Sequence, residues 1–71
     1  MTYEEKINEL AEMFEIGSAE LTPERALDTL NWDSMTMLTL IAMVKARFNK
    51  KLPGAEIRQF KTIQDILNVM E

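Results

Sequence analysis

Apolar residues recur at helical spacing in several stretches of this chain, and no stretch alternates apolar and polar residues as a β-strand does. This periodicity predicts an all-α fold. The 71 residues suffice for one small domain, and the 46% of them that are hydrophobic suffice for one core. We therefore expect residues 1–71 to form a single domain whose core is shared among its helices.

The pattern divides into three main helices and one short helix. The first begins at a capping box, in which Thr2 accepts from the Glu5 amide and the Glu5 side chain reaches back. Its apolar face follows at helical spacing: Tyr3, Ile7, Leu10, Ala11 and Phe14. Gly17 is suited to the left-handed position just beyond the end of this helix.

The second predicted helix is the most apolar. It runs from Ser34 to Phe48, and Asp33 or Ser34 serves as its N-cap. Its residues expected on or beside the buried stripe are Leu38, Leu40, Ile41, Val44, Lys45 and Phe48.

Two further helices follow. A short third helix is predicted over residues 54–60, with Ile57 and Phe60 facing inward. The fourth starts at Thr62, where Asp65 makes a variant of the capping box. Its apolar residues follow at helical spacing: Ile63, Ile66, Leu67 and Met70.

Residues 17–33 form a long first loop. A loop of this length in a compact domain is usually functional or disordered. A short helical turn is predicted over residues 22–24, because a threonine, a proline and a glutamate follow one another there. Apolar residues that pin the loop to the core argue against disorder: Leu21, Ala26, Leu27 and Leu30.

The chain contains no cysteine and no histidine. Disulfides and cysteine-based metal sites are therefore excluded, as are two common catalytic side chains. We expect no enzyme activity and no resident metal. No apolar run approaches the roughly 20 residues that span a bilayer, and the polar, acidic N-terminus is unlike a signal peptide. A soluble, cytoplasmic protein is expected.

Charge is distributed unevenly along the chain, whose formal net charge is -4. Residues 1–33 hold nine acids and two bases, whereas residues 34–71 hold three acids and six bases. Such asymmetry bears on the choice of partner more than on the fold. The overall acidity argues against a nucleic-acid partner, and the basic end of the second helix complements the helix dipole.

Residues 30–35 read Leu-Asn-Trp-Asp-Ser-Met and lie where the long loop meets the second helix. Aspartate and serine are favoured at helix N-termini for structural reasons, so the pair alone indicates only an N-cap. The whole constellation resembles the attachment motif of acyl and peptidyl carrier proteins. Helix lengths, loop length and the order of elements resemble that family over nearly all of the chain.

The resemblance implies a four-helix carrier-protein bundle in which Ser34 carries 4'-phosphopantetheine derived from coenzyme A. It implies that Asp33 helps to hold the metal ion while a phosphopantetheinyl transferase modifies the serine. The prosthetic thiol would carry an acyl or aminoacyl group as a thioester. Further implied partners are the enzymes that load and elongate such groups in fatty-acid, polyketide or related biosynthesis. We expect a monomer.

The second helix departs from the family pattern. Fatty-acid carriers present an acidic face there, whereas this helix has no acid after Asp33. We therefore expect natural partners to present a neutral or acidic docking surface. The residues expected to face those partners are Met35, Thr36, Thr39 and Met43.

Two loop residues before this helix also bear on the resemblance. Asn31 stands where many members have glycine, which is a mild change because asparagine tolerates a left-handed backbone. Trp32 is expected to cover the core.

The third helix bears on cargo. In the family, long acyl chains enter a cavity between the helices, and carriers that shelter them often have a small residue at the position of Ile57. Bulk at Ile57 and Phe60 therefore predicts short, polar or rigid cargo held outside the core. The alternative function is a small helical interaction module that is never modified, which the acid-free second helix and its methionines favour.

Overall fold

The computed structural model describes residues 2–71 and confirms the all-α fold. Within that range it contains four α-helices: α1 (Tyr3–Phe14), α2 (Ser34–Phe48), α3 (Gly54–Ile57) and α4 (Ile63–Leu67). Two single 3-10 turns, Ser18–Glu20 and Leu27–Thr29, lie in the long loop between α1 and α2. The molecule measures 28 × 25 × 18 Å. None of the helices in this range is long and apolar enough to cross a membrane.

Capping boxes begin α1 and α4 where the sequence predicts them. At α1, the Glu5 amide donates to the Thr2 hydroxyl at 3.2 Å, and the Thr2 amide donates to Glu5 Oε1 at 3.0 Å. At α4, the Asp65 side chain reaches back, and its Oδ2 accepts from the amides of Lys61 at 2.8 Å and Thr62 at 3.2 Å. Each box satisfies amides that have no partner within their helix.

The end of α1 differs from the prediction, because Glu15 and not Gly17 takes the left-handed conformation (φ 59° against -70°). The Ile16 amide donates to the Ala11 carbonyl at 3.1 Å, and the Glu15 amide donates to the Glu12 carbonyl at 3.2 Å. These two bonds form a Schellman motif. The motif turns Ile16 back onto the core, which offsets a steric cost of about 1–2 kcal/mol for a left-handed residue with a side chain.

Both later helices are shorter than predicted. α3 stops at Ile57, and the amide of Phe60 instead bonds to a carbonyl three residues back. α4 stops at Leu67, and the amide of Met70 makes the same tighter bond. Such 3-10 bonding is common at helix ends. The predicted helical stretches are therefore present, but their last turns have 3-10 and not α-helical hydrogen bonds.

α2 has the predicted bounds but buries a different stripe. The residues that are buried or packed on the core are Met37, Leu40, Ile41, Met43, Val44 and Phe48. Leu38 is 66% exposed, so its predicted place in the core is wrong, and Lys45 is exposed as well. Apolar residues occur all round this helix, so the sequence alone does not single out the face that packs against the rest of the molecule.

The long loop is fastened to the start of α4 by its backbone. The Leu27 amide donates to the Lys61 carbonyl at 2.8 Å, and the Ile63 amide donates to the Arg25 carbonyl at 3.0 Å. An isolated antiparallel bridge joins the two segments between these bonds. The loop is therefore an ordered wall of the molecule.

Side chains of the loop also reach the core. Leu21 and Leu27 are buried and Leu30 is half-buried, which confirms the predicted pinning. Residues 22–25 form a single hydrogen-bonded turn, in which the Arg25 amide donates to the Thr22 carbonyl at 3.0 Å. The predicted helical turn at 22–24 is thus a simple turn, and the 3-10 turns lie on either side of it.

Candidate functional site

Ser34 is the first residue of α2 and is exposed. The loop delivers it through Asp33, whose extended backbone (φ -121°, ψ -178°) precedes the first helical turn. In this turn, the amide and the hydroxyl of Thr36 both donate hydrogen bonds to the Asp33 side chain. The Ser34 hydroxyl has no hydrogen-bond partner among residues 2–71. An exposed, unpaired hydroxyl at this point is open to a modifying enzyme.

Asp33 is the N-cap of α2. Its Oδ1 accepts from the Thr36 amide at 2.9 Å and from the Thr36 hydroxyl at 2.9 Å. The amide bond, followed by the hydroxyl bond, holds the pKa of the Asp33 carboxyl below its ordinary value of 3.8. The carboxylate is therefore ionised at neutral pH, and both bonds from Thr36 are made to Oδ1 and not to Oδ2.

The electrostatic setting of Ser34 favours an anion. The side chain projects from the N-terminus of a 15-residue helix, where the helix dipole is positive. After Asp33 the helix contains no acid, and its basic residues Lys45 and Arg47 lie in its last turn. A phosphate esterified to Ser34 would therefore meet one negative neighbour, Asp33, and the positive end of α2.

Apart from Asp33, the exposed side chains around Ser34 are either apolar or polar without charge. Met35 is 79% exposed and Leu38 is 66% exposed, and Thr39 is exposed beside them. Thr36 and Met43 are half-buried, and the Thr36 hydroxyl is engaged by the Asp33 cap. Of the residues predicted to face partners, Met35 and Thr39 thus lie open and the other two are partly covered.

Sequence reasoning missed Leu38 as a surface residue. The signal that could have found it is the alternative stripe that starts at Met37 and continues at helical spacing through Leu40, Ile41 and Val44. That stripe excludes Leu38. Leu38 and Met35 are three residues apart, so they are neighbours on the helix surface and form one exposed apolar patch.

The basic end of α2 is tied to α1. Arg47 Nη2 lies 2.8 Å from Glu9 Oε1, with the two side chains 52% and 26% exposed. Exposed pairs of this kind contribute less than about 1 kcal/mol to stability. The pair nevertheless holds one of the two basic charges of α2 against the acidic first helix.

Trp32 covers the core beside the site, as predicted. It is half-buried, and its ring packs 6.2 Å from that of Phe14 and 6.5 Å from that of Phe60, measured between centroids. Asn31 does not use the left-handed backbone that its glycine-like position suggested, because the non-glycine residues with positive φ within residues 2–71 are Glu15 and Asn49.

The bulky residues of the α3 region behave as predicted. Ile57 is 1% exposed and belongs to the core, and Phe60 is half-buried against it. Their side chains occupy space between α3 and the neighbouring elements.

Comparison with known proteins finds similarity over nearly the whole chain. Residues 7–70 match the family model described as "Phosphopantetheine attachment site". The acyl carrier protein of Thermobifida fusca (strain YX) is 31% identical over 78 aligned positions, which cover 100% of this chain and 99% of that protein.

Two further relatives carry related names. The acyl carrier protein of Micrococcus luteus is 32% identical over 57 positions, covering 79% of this chain and 70% of the relative. The meromycolate extension acyl carrier protein of Mycobacterium leprae is 28% identical over 76 positions, covering 100% of this chain and 66% of the relative.

Proposed function

Because this chain belongs to the acyl carrier protein family with its phosphopantetheine attachment site, we propose that Ser34 is esterified by 4'-phosphopantetheine and carries biosynthetic cargo. The observation that supports this most is an exposed, unpaired serine hydroxyl at the first position of α2, beside an ionised aspartate. Members of the family act as carriers and not as catalysts. The proposed domain comprises residues 1–71, acts as a cytoplasmic monomer and holds no metal of its own.

The residues present fit the prosthetic group. The positive end of α2 suits the phosphodiester, and the exposure of Ser34 suits an arm that must reach several enzymes. When bound, the group supplies the thiol that holds an acyl or aminoacyl cargo as a thioester, and the chain itself contains no cysteine. The protein presents the attachment point, and its partner enzymes do the chemistry.

Asp33 has two proposed roles. Its Oδ1 caps α2 through Thr36, which fixes the backbone that presents Ser34. Its Oδ2 is free to share a magnesium ion with the phosphopantetheinyl transferase, since magnesium prefers oxygen ligands and phosphates. The cap and the metal contact use different oxygens, so both are possible at once.

The test is modification by a broad-specificity phosphopantetheinyl transferase with coenzyme A. Intact mass should increase by one phosphopantetheinyl group, and Ser34→Ala should abolish the increase. The chain offers a matched control, because Ser18 is the other serine and is exposed. Ser18→Ala should be modified like the wild type. Modification of Ser34→Ala would refute the assignment of the site.

The proposed partners are enzymes that load and elongate cargo in fatty-acid, polyketide or related biosynthesis. They would meet Met35, Leu38 and Thr39 on the exposed face of α2. Because this face is apolar and has no acid, we propose a docking surface that is itself apolar with a neutral or acidic rim. Met35 and Met43 suit such a surface, since methionine adapts its shape to different partners.

A second candidate function rests on the same patch. Exposure of both Met35 and Leu38 is also what an unmodified helical interaction module would show. The mass experiment separates the two functions, because only a carrier requires a covalent group on Ser34.

A further inference from the structure

A pocket of about 430 Å³ lies outside the helices that flank the attachment serine. Its walls come from the end of the long loop and from the link between α3 and α4: Ala26, Leu27, Asp28, Trp32, Phe60 and Thr62, with Lys61 beside them. No residue of α2 or α3 lines it. It is therefore distinct from a cavity between those two helices.

The pocket is built from fastened segments. Hydrogen bonds of 2.8 Å and 3.0 Å join the loop backbone to residues 61 and 63, and the bridge between Ala26 and Thr62 lies between them. The Trp32 amide donates to the Leu30 carbonyl at 2.8 Å, which fixes the backbone at Trp32. A preformed pocket needs little ordering when a ligand enters, so little affinity is lost.

Two aromatic rings give the pocket its chemistry. The rings of Trp32 and Phe60 are nearly parallel, with an interplanar angle of 26° and centroids 6.5 Å apart. Both residues are half-buried, so part of each ring remains open. Flat aromatic groups stack on such rings more favourably than saturated chains of similar size. Asp28 and Lys61 place polar groups at the same pocket without closing it.

The position of the pocket indicates its occupant. Trp32 is two residues from Ser34, so their Cα atoms are separated by no more than about 7.6 Å. A group tethered to Ser34 would sit at an effective concentration in the millimolar range, which lets a shallow pocket hold it. The volume lies toward the lower end of the roughly 300–1,000 Å³ range of small-molecule sites. It suits a small ring and not a long chain.

We propose that this pocket receives an aromatic acyl group carried on the arm of Ser34. The inference rests on the proposed function, since it needs the tether. It specifies a cargo class: a flat aryl thioester stacked on Trp32 and Phe60, outside the core that Ile57 fills.

Trp32 is the chain's single tryptophan, so tryptophan emission comes from this wall of the pocket alone. Transferase with benzoyl-, cyclohexanecarbonyl- or acetyl-coenzyme A would install each group on Ser34, and intact mass would verify loading. We expect a change in Trp32 emission with benzoyl that is much larger than with the other two groups. Nuclear Overhauser contacts between benzoyl protons and the rings of Trp32 and Phe60 should accompany it.

Ala26→Leu should fill the pocket while Trp32 and Ser34 remain. Ala46→Leu, an exposed position on α2, is the matched control. Benzoyl contacts should be lost in Ala26→Leu and retained in Ala46→Leu. Loading without benzoyl contacts to Trp32, or equal contacts in both variants, would overturn this inference alone. Failure of every coenzyme A derivative to modify the wild type would overturn the proposed function and this inference with it.

Discussion

One oxygen of Asp33, Oδ1, accepts both the backbone amide and the side-chain hydroxyl of Thr36, each at 2.9 Å. The cap of α2 and the group beside the proposed acceptor serine are thus the same carboxylate. Any substitution at Asp33 therefore has two separable consequences, one for the helix and one for the chemistry at Ser34.

Asp33→Asn should separate these consequences. Asparagine caps helices about as well as aspartate, so the melting temperature should stay close to that of the wild type. The charge is lost, so modification of Ser34 should slow by at least about tenfold, in line with losses at metal-supporting residues. Asp33→Ala should lose both properties. Rates would come from mass spectrometry at several magnesium concentrations, and a wild-type rate for Asp33→Asn would limit Asp33 to a capping role.

The pKa of Asp33 should respond to Thr36→Val. This change removes the hydroxyl donor and keeps the amide, which is the larger cause of the lowered pKa. Carbon-13 NMR titration of the carboxyl should therefore show a pKa above that of the wild type and still below 3.8.

The same shift predicts a pH dependence of stability. A lowered folded-state pKa contributes stability that is present above the ordinary value of 3.8 and is lost as pH falls through the folded-state pKa. Acidification from about pH 5 to about pH 2 should therefore lower the melting temperature more for the wild type than for Asp33→Asn. Equal losses in the two proteins would contradict a linked Asp33.

The register of α2 can be tested with two leucines. Leu40 is completely buried, so Leu40→Ala should cost about 2–5 kcal/mol in the free energy of unfolding. Leu38 is 66% exposed, so Leu38→Ala should change it by less than about 0.5 kcal/mol. Urea unfolding would measure both. Comparable losses would mean that Leu38 faces the core after all.

The docking face should respond to an added acid. Thr39 is exposed, so Thr39→Glu should strengthen binding to the basic docking patch of a fatty-acid synthesis enzyme, and this gain should shrink as salt rises. Thr39 is preferable to Thr36, because the Thr36 hydroxyl bonds to the Asp33 cap, whereas the Thr39 hydroxyl bonds to the Met35 carbonyl of its own helix. Asn8→Glu, on the exposed side of α1, has the same net charge and should leave binding nearly unchanged. Equal or tighter binding by the wild type would refute the expected surface.

Ile57 should limit the length of acyl chain that the core shelters. Loading the wild type with saturated chains of increasing length should raise the melting temperature little, because Ile57 occupies the core at 1% exposure. Ile57→Ala should itself cost about 2–5 kcal/mol. Relative to its own unloaded form, however, the variant should gain stability steadily with chain length. A steady gain in the wild type would show that a usable cavity already exists.

Local signals predicted much of this fold. The capping boxes and the start of α2 follow from short-range hydrogen bonding, which the spacing of threonine, aspartate and glutamate reveals directly. The capping role of Asp33 could be predicted in the same way, whereas the attachment role of Ser34 was inferred from a resemblance to carrier proteins. The end of α1, the buried face of α2 and the pocket depend on contacts between residues distant in sequence, so local patterns could not predict them.

The end of α1 illustrates this limit. Gly17 is the better residue for a left-handed backbone, but burial of Ile16 moves that conformation to Glu15. The surface position of Leu38 has a similar origin, since packing selected one of two apolar stripes on α2. The pocket beside Trp32 could not be predicted either, because its lining residues belong to two segments, 26–32 and 60–62, that are distant in sequence.

The fastening of the long loop also determines the order in which this protein can assemble. Its bonds from Leu27 to Lys61 and from Ile63 to Arg25 join segments more than thirty residues apart, with all of α2 between them. The entropy lost in closing a loop of that size must be overcome before the contacts between its ends can stabilise the fold. Met70 is completely buried as well, so a nascent chain cannot finish its core until this residue has been made. The loop that leads to Ser34 can thus be fastened only after residues 61–63 have been synthesised.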